Sequence, residues 1–224
     1  MQGDFCSICG ERMASFGATV AAEPAVCGMC RRIRPEFERA IAFGSYDGTL
    51  RELLHLLKYE GVRPVAGILS GLLARAIDAA GLTELNLLVI PVPLYRSRRG
   101  ERGFNQAELL ARAAVRQLSA EWPVATGALV RTRETASQTG LTRHQRRANV
   151  RGAFKVKHRS QVAGKDILLI DDVLTTGTTA AECARVLKRA GASKVYVATV
   201  ARVLKGEGFQ VPPHAYAVAG AASS

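Results

Sequence analysis

Hydrophobic positions recur with two different spacings along the chain, and the two spacings alternate. Short apolar runs at 87–92 and 166–170 have the length and composition of buried strands. The segment 50–58 instead places its leucines on one face, which predicts an amphipathic helix. In chain order, the pattern predicts strands at 41–46, 87–92, near 129, near 154, 166–170 and 194–200, and helices at 50–58, 65–80, 105–118 and 178–190. Strands separated by helices indicate an α/β fold with a mostly parallel sheet and helices on both faces.

The composition is that of a folded protein that does not insert into a membrane. Hydrophobic residues make up 48% of the chain and charged residues 22%, with no long biased tract. The apolar runs are too short to span a bilayer, and no signal-peptide pattern precedes the first cysteines. We therefore expect a cytoplasmic location, in which thiols stay reduced.

Four cysteines near the N-terminus form two matched pairs. Cys6 and Cys9 make one CxxC pair, and Cys27 and Cys30 make a second pair after seventeen intervening residues. This spacing is typical of a structural zinc site, in which each pair presents two thiolates from a tight turn. A redox pair or free buried thiols are the alternatives. Cys183 lies alone in an apolar helical pattern and is predicted to be a buried core thiol.

The cysteine pairs precede the alternating strands and helices, so they indicate a small module of their own. We predict a zinc-ribbon-like, four-cysteine module at 1–36 and an α/β domain at 37–224. In a parallel sheet, ligands bind at the carboxyl ends of the strands. Polar residues that follow the buried runs are therefore the candidate site.

The positive charge of the chain is concentrated in its middle. Residues 92–160 carry fifteen Lys and Arg against four Asp and Glu, which accounts for +11 of the net +12. Clustered basic side chains gain affinity for polyanions by releasing counterions, and the guanidinium fork suits phosphate. The block therefore indicates a surface for phosphates, with a solvated basic face as the alternative.

One motif combines a buried strand, two carboxylates and a hydroxyl-rich turn. The apolar run 167–170 is followed by Asp171 and Asp172, and then by the small-residue segment 175–179. Backbone amides at a helix N-terminus can surround a phosphate, and Gly177 allows close backbone approach. The two carboxylates can accept hydrogen bonds from a pair of sugar hydroxyls. The motif therefore predicts a sugar 5-phosphate site, with an ordinary strand-to-helix turn as the alternative.

At these residues the chain resembles the phosphoribosyltransferase family. The family motif for phosphoribosyl pyrophosphate (PRPP) has four apolar positions, two acidic, two apolar and a small Thr/Ser/Gly loop, and all thirteen positions agree. The resemblance implies a type I phosphoribosyltransferase-like domain at 37–224 that binds PRPP with Mg²⁺. In it, Asp171 and Asp172 would hold the ribose hydroxyls. The implied PRPP-binding residues are Asp171, Asp172, Val173, Leu174, Thr175, Thr176, Gly177, Thr178 and Thr179.

Two arginine-rich segments are candidates for the pyrophosphate or for DNA phosphates. The first follows the strand at 87–92, where phosphoribosyltransferases place a pyrophosphate-binding loop. The second, at 131–151, is longer than a plain connection, and we expect it to fold over bound PRPP as a lid. A disordered basic loop is the alternative for this segment. The candidate residues are Arg96, Arg98, Arg99, Arg102, Arg143, Arg146 and Arg147.

The cysteine pairs and the basic run together extend the resemblance over nearly the whole chain. With the later residues Thr135, Gln138, Leu141, Arg146, Arg147 and Asn149, they look like the ComF family of competence proteins. The resemblance implies a PRPP-binding protein that supports uptake of single-stranded DNA in natural competence. It also implies a DNA-uptake helicase as partner and a peripheral position at the inner face of the membrane.

An active phosphoribosyltransferase is the alternative function. Such an enzyme, similar to amidophosphoribosyltransferases, would displace pyrophosphate from PRPP with an acceptor that the sequence does not identify. Cys6 belongs to the first cysteine pair, which argues against a glutamine-amidohydrolase module. No catalytic residue is assigned.

Overall fold

The central element is a four-stranded parallel sheet. The computed structural model describes residues 5–13, 24–135 and 142–204. In sheet order, the strands are β1 (Arg39–Ser45), β6 (Val195–Arg202), β5 (Asp166–Leu174) and β2 (Leu87–Pro91). All three pairings are parallel, as the apolar runs predicted.

The other elements agree with most of the predicted bounds. The α-helices are α1 (Gly28–Arg32), α2 (Gly48–His55), α3 (Val65–Ala79), α4 (Arg96–Arg102), α5 (Gln106–Gln117), α6 (Arg143–Val150) and α7 (Thr178–Arg189). Short strands β3 (Leu129–Arg131) and β4 (Phe154–Val156) form a separate antiparallel pair. A π-helical turn spans Leu56–Glu60, and 3₁₀ turns span Leu82–Glu84 and Arg159–Gln161.

Helices cover both faces of the sheet, as predicted. Along β5, Leu168 and Ile170 pack into the core on the side of α3 and α5, whereas Ile167 and Leu169 pack into the core on the side of α7. All four side chains are buried. This alternation explains why the strand is apolar at every position, since a parallel strand covered on both faces has no solvent side.

Strand β5 is longer than the apolar run predicted. It pairs with β2 only as far as Ile170, which lies opposite Pro91, but it pairs with β6 as far as Leu174, opposite Arg202. Asp171 and Asp172 therefore lie on the strand itself, beyond its pairing with β2, and not in the following loop. This position brings both carboxylates to the carboxyl edge of the sheet.

The arginine-rich segment contains a helix where a loop was expected. Helix α6 begins with a capping box, in which the Gln145 amide donates to Thr142 Oγ1 at 3.3 Å and the Thr142 amide donates to Gln145 Oε1 at 2.8 Å. The expectation of a loop is therefore wrong for residues 143–150, whereas the expectation that this segment folds over bound PRPP stays a prediction. Gln138 and Leu141 lie outside the described residues.

The cysteine-bearing segment packs directly against the sheet. The Ala40 amide donates to the Ile8 carbonyl at 2.7 Å, and Ile8 and Cys6 belong to the same buried cluster as α7. The division at residue 36 stays a prediction. No helix among the described residues is both long enough and apolar enough to cross a bilayer.

Candidate functional site

A cleft of about 320 Å³ opens at the carboxyl end of β5. Its lining combines two carboxylates, five cationic side chains, two tyrosines and the hydroxyl-rich turn. It is formed by Tyr46, Lys58, Tyr59, Leu94, Arg98, Arg102, Arg131, Thr135, Arg146, Asp171, Asp172, Val173, Leu174, Thr175, Gly177, Thr179, Ala180 and Val203. A second groove of about 600 Å³ lies between α3 and α5 and contains none of these residues.

The two carboxylates differ in their partners. Asp171 Oδ1 accepts a hydrogen bond from the Asp172 amide at 2.9 Å. Asp172 Oδ1 lies 3.0 Å from Lys58 Nζ in an ion pair that is largely shielded from solvent. Burial, and then repulsion by Asp172, raises the pKa of Asp171 to about 7. Asp172 is therefore paired with a cation, whereas Asp171 has a pKa close to neutral pH.

The turn after β5 leads directly into the N-terminus of α7. Gly177 adopts a left-handed conformation with φ of 73° and caps α7. A residue with a side chain is strained there, which explains the glycine. Thr176 Oγ1 and Thr178 Oγ1 are 3.0 Å apart. Thr175, Gly177 and Thr179 line the cleft, where backbone amides and hydroxyls can surround a phosphate.

Three of the predicted arginines reach this cleft. Arg98 and Arg102 come from α4, and Arg146 comes from α6. Arg146 Nη1 donates to Thr175 Oγ1 at 3.4 Å, so α6 contacts the turn that follows β5. Two separate helices therefore bring positive charge to the cleft that contains the carboxylates.

The remaining predicted arginines lie elsewhere. Arg96, Arg99 and Arg147 are exposed and do not line the cleft, and Arg99 lies 3.8 Å from Glu108. The side chain of Arg143 is outside what the structure describes. Arg133, in the same segment as α6, donates to the Asn149 carbonyl at 2.9 Å and so holds the end of that helix.

Eight residues of the cleft were not identified as site residues from the sequence, and four of them are aromatic or cationic. Tyr46, Lys58 and Tyr59 come from the connection after β1, and Arg131 comes from β3. Arg131 donates to Thr135 Oγ1, while its buried Nε has no hydrogen-bond partner among the described residues. Burial, and then repulsion by Arg98, lowers the pKa of Arg131. Among these four residues, the sequence pointed only to Arg131, because it is the first arginine of the basic segment 131–151.

The four N-terminal cysteines converge on one point. Their sulfur atoms all lie within 4.8 Å of one another, and Cys9 Sγ and Cys27 Sγ are 3.7 Å apart. Thiolates bound to one tetrahedral zinc ion at about 2.3 Å are separated by roughly 3.8 Å. The cluster therefore fits a metal ion such as zinc, as the two CxxC pairs predicted.

The thiols of this cluster have unequal proton affinities. Burial raises the pKa of Cys6, but amide hydrogen bonds, first that of Cys27 at 3.3 Å, outweigh it and leave the pKa at about 7. Burial raises the pKa of Cys9 to about 11. Cys183, by contrast, is fully buried in the core, which confirms its prediction as a core thiol.

Comparison with known proteins agrees with this architecture. Residues 105–217 match the family described as the phosphoribosyl transferase domain, which is about half of the chain. The DNA utilization protein YhgH of Escherichia coli O157:H7 is 36% identical over 210 residues, covering 89% of this chain and 90% of the relative. The competence protein F of Haemophilus influenzae is 31% identical over 207 residues, covering 88% and 90%.

A glutamine PRPP amidotransferase from B. subtilis is a distant structural neighbour. It is 20% identical, with a TM-score of 0.38, over 59% of this chain and 25% of the larger one. The fold is therefore assigned from the sequence matches and the parallel sheet, which together define a type I phosphoribosyltransferase domain. With its four-cysteine cluster, the chain belongs to the ComF family, together with competence protein F and DNA utilization protein YhgH.

Proposed function

We propose that the cleft at the carboxyl end of β5 binds PRPP, and that the protein supports uptake of single-stranded DNA in natural competence. The proposal of PRPP binding is supported by a single cleft that is lined by Asp171 and Asp172, by the turn 175–179 and by several arginines. These groups match a sugar with two hydroxyls, a terminal phosphate and a pyrophosphate.

Each part of PRPP has a place in this arrangement. The ribose hydroxyls donate to Asp171 and Asp172, and the 5-phosphate lies at the turn 175–179 before α7. The pyrophosphate faces Arg98, Arg102 and Arg146, whose guanidinium groups pair with its oxygens. Magnesium that accompanies PRPP would neutralise further charge on the pyrophosphate.

Calorimetric titration of PRPP with magnesium tests this assignment. We expect the Asp171→Ala, Asp172→Ala double variant to lose most of its affinity, because the sugar hydroxyls lose their acceptors. Asp166→Asn is the matched control, since it changes a carboxylate at the opposite end of the same strand. Equal binding of PRPP by the wild type and the double variant would refute the assignment of Asp171 and Asp172 to the PRPP site.

The proposed role in DNA uptake rests on the relatives and on the exposed basic surface. Relatives are named for competence and DNA utilization. Arg96 and Arg99 are exposed on α4, next to the cleft but not in its lining. Such side chains can follow a phosphate backbone without reading its sequence. Association with a DNA-uptake helicase at the inner face of the membrane is part of the same proposal.

Titration of single-stranded DNA at two salt concentrations tests the basic surface. We expect the variant with Arg96, Arg98 and Arg99 changed to Gln to bind more weakly. Its salt slope should fall by roughly 0.7 for each DNA phosphate that is no longer neutralised. The variant with Lys155 and Lys157 changed to Gln is the control, because both lysines are exposed on or beside β4. An unchanged affinity and slope in the triple variant would refute this surface.

An active transferase is a second candidate, and one observation favours it. The pKa of Asp171, raised to about 7 by burial, suits a group that exchanges a proton at neutral pH. Release of pyrophosphate from PRPP in the presence of ammonia tests this possibility. Turnover that Asp171→Asn abolishes while PRPP binding persists would establish it, whereas no release by the wild type would argue for binding alone.

A further inference from the structure

A largely shielded lysine is paired with one of the two carboxylates. Lys58 Nζ lies 3.0 Å from Asp172 Oδ1, and only 15% of the Lys58 side chain and 14% of the Asp172 side chain are exposed. Shielding an ammonium from water is costly unless a charged partner compensates it, and Asp172 is that partner. The ion pair is therefore a built feature of the cleft and not a surface contact.

Lys58 lies in a π-helical turn that follows helix α2. Helix α2 ends at His55 and continues as the π-helical turn Leu56–Glu60, which Gly61 ends in a left-handed conformation. Leu57 is completely buried and fixes the turn against the core, so the next side chain, Lys58, extends into the cleft. Single π-helical turns occur frequently at functional sites.

The charges around the carboxylates explain what the lysine does there. Asp171 and Asp172 are adjacent and shielded from water, so their negative charges repel each other. Lys58 pairs with Asp172, and Arg131 acts on Asp171 from β3 at longer range, with Tyr46 near Lys58. The protein therefore carries its own counterion at the carboxylates that we assign to the sugar hydroxyls.

A divalent cation bound directly by Asp172 does not fit this arrangement. Magnesium requires oxygen ligands at about 2.1 Å in a nearly ideal octahedron. One oxygen of Asp172 already pairs with the ammonium of Lys58, which would repel a second cation. Magnesium that accompanies PRPP would therefore not take Asp172 as a direct ligand.

We propose that Lys58 is the resident cation of the sugar subsite, so that the ribose 5-phosphate part of the ligand binds without a divalent metal ion. The ammonium offsets the charge of Asp172 and holds its carboxylate in place, while the remaining carboxylate lone pairs accept from the sugar hydroxyls. Lys58 is in this sense a positioning residue. The inference rests on the proposed function, because it assumes that the sugar lies at Asp171 and Asp172.

Calorimetry with ribose 5-phosphate tests the inference, because this probe lacks the pyrophosphate. We expect wild-type affinity to agree within about twofold in EDTA and in excess magnesium. Lys58→Met should bind at least about tenfold more weakly in EDTA, because it leaves two uncompensated carboxylates, and magnesium should restore part of the loss. Lys157→Met is the control, since Lys157 is exposed and does not line the cleft.

The outcomes separate this inference from the proposed function. If the wild type binds neither ribose 5-phosphate nor PRPP, the proposed function fails. If the wild type binds ribose 5-phosphate only with magnesium, or if folded Lys58→Met binds like the wild type in EDTA, the inference about Lys58 fails and the PRPP site stands. The wild-type comparison decides the metal requirement even if Lys58→Met does not fold.

Discussion

Arg202 joins the cysteine cluster to the central sheet through buried charge. It lies at the end of β6, where its Nη2 is 2.9 Å from Glu11 Oε2 and its Nη1 donates to the Cys9 carbonyl. Only 7% of the Arg202 side chain and 12% of the Glu11 side chain are exposed. Because Arg202 also lies opposite Leu174 on β5, it connects the cysteine cluster with the strand that carries the two site carboxylates.

We predict that Arg202→Met strongly destabilises the protein and weakens metal retention. Removing one partner from a buried ion pair costs about 3–5 kcal/mol, because the other charge loses its compensation. For a domain of this size, such a loss lowers the melting temperature by roughly 6–20 °C. The Cys9 carbonyl also loses a donor, which should loosen the turn that presents the Cys9 thiol.

Urea denaturation and zinc analysis of the purified protein measure the two effects. Arg34→Met is the control, since Arg34 is exposed shortly after the second cysteine pair and its replacement should change stability by less than about 0.5 kcal/mol. Replacing both Arg202 and Glu11 by apolar residues should cost less than the sum of the single changes, because no charge is then left unpaired. If Arg202→Met keeps full zinc content and a stability within about 1 kcal/mol of the wild type, this reasoning is refuted.

Three further changes test other parts of the structure. Gly177→Ala should lower stability in urea by about 1–2 kcal/mol, because its left-handed φ of 73° strains any side chain; no loss would exclude this conformation. Asp171→Asn should flatten the pH dependence of thermal stability. In the folded protein the pKa of Asp171 is about 7, above its ordinary value of 3.8, so the folded state binds this proton more tightly than the unfolded state does. The resulting stabilisation is complete below about pH 4 and is lost as the pH rises through 7. A wild-type stability that does not fall between pH 4 and 7 relative to the variant would contradict this. Zinc analysis should find about one ion per chain, and its chelation should lower the melting temperature; metal-free protein with the same melting temperature would restore the redox or free-thiol interpretation of the cysteines.

Much of the fold could be predicted because buried positions are apolar in the sequence. The run 167–170 is apolar throughout since β5 is covered on both faces, and α5 could be placed within a residue because Asn105 caps it and accepts from the Ala107 amide at 3.1 Å. The candidate anion site depends on an equally local pattern, since two acids and a Gly/Thr turn follow the apolar run 167–170. Both predictions depend on local pattern alone.

The residues that the sequence did not reveal depend on tertiary packing. Lys58 and Tyr59 belong to a helix that ends at the carboxyl edge of the sheet in a π-helical turn, which hydrophobic spacing does not indicate. Helix α6 is polar over most of its length, so it has no hydrophobic period. Its Thr142-x-x-Gln145 capping box was readable, and that pattern could have predicted the helix that brings Arg146 to the cleft.

The crystal structure of the complex with PRPP and magnesium tests the central claim most directly. We predict the ribose hydroxyls at Asp171 and Asp172, the 5-phosphate at the turn 175–179, the pyrophosphate beside Arg98, Arg102 and Arg146, and Lys58 still paired with Asp172. A complex in which the 5-phosphate lies away from the turn, or in which the carboxylates do not contact the sugar, would contradict it.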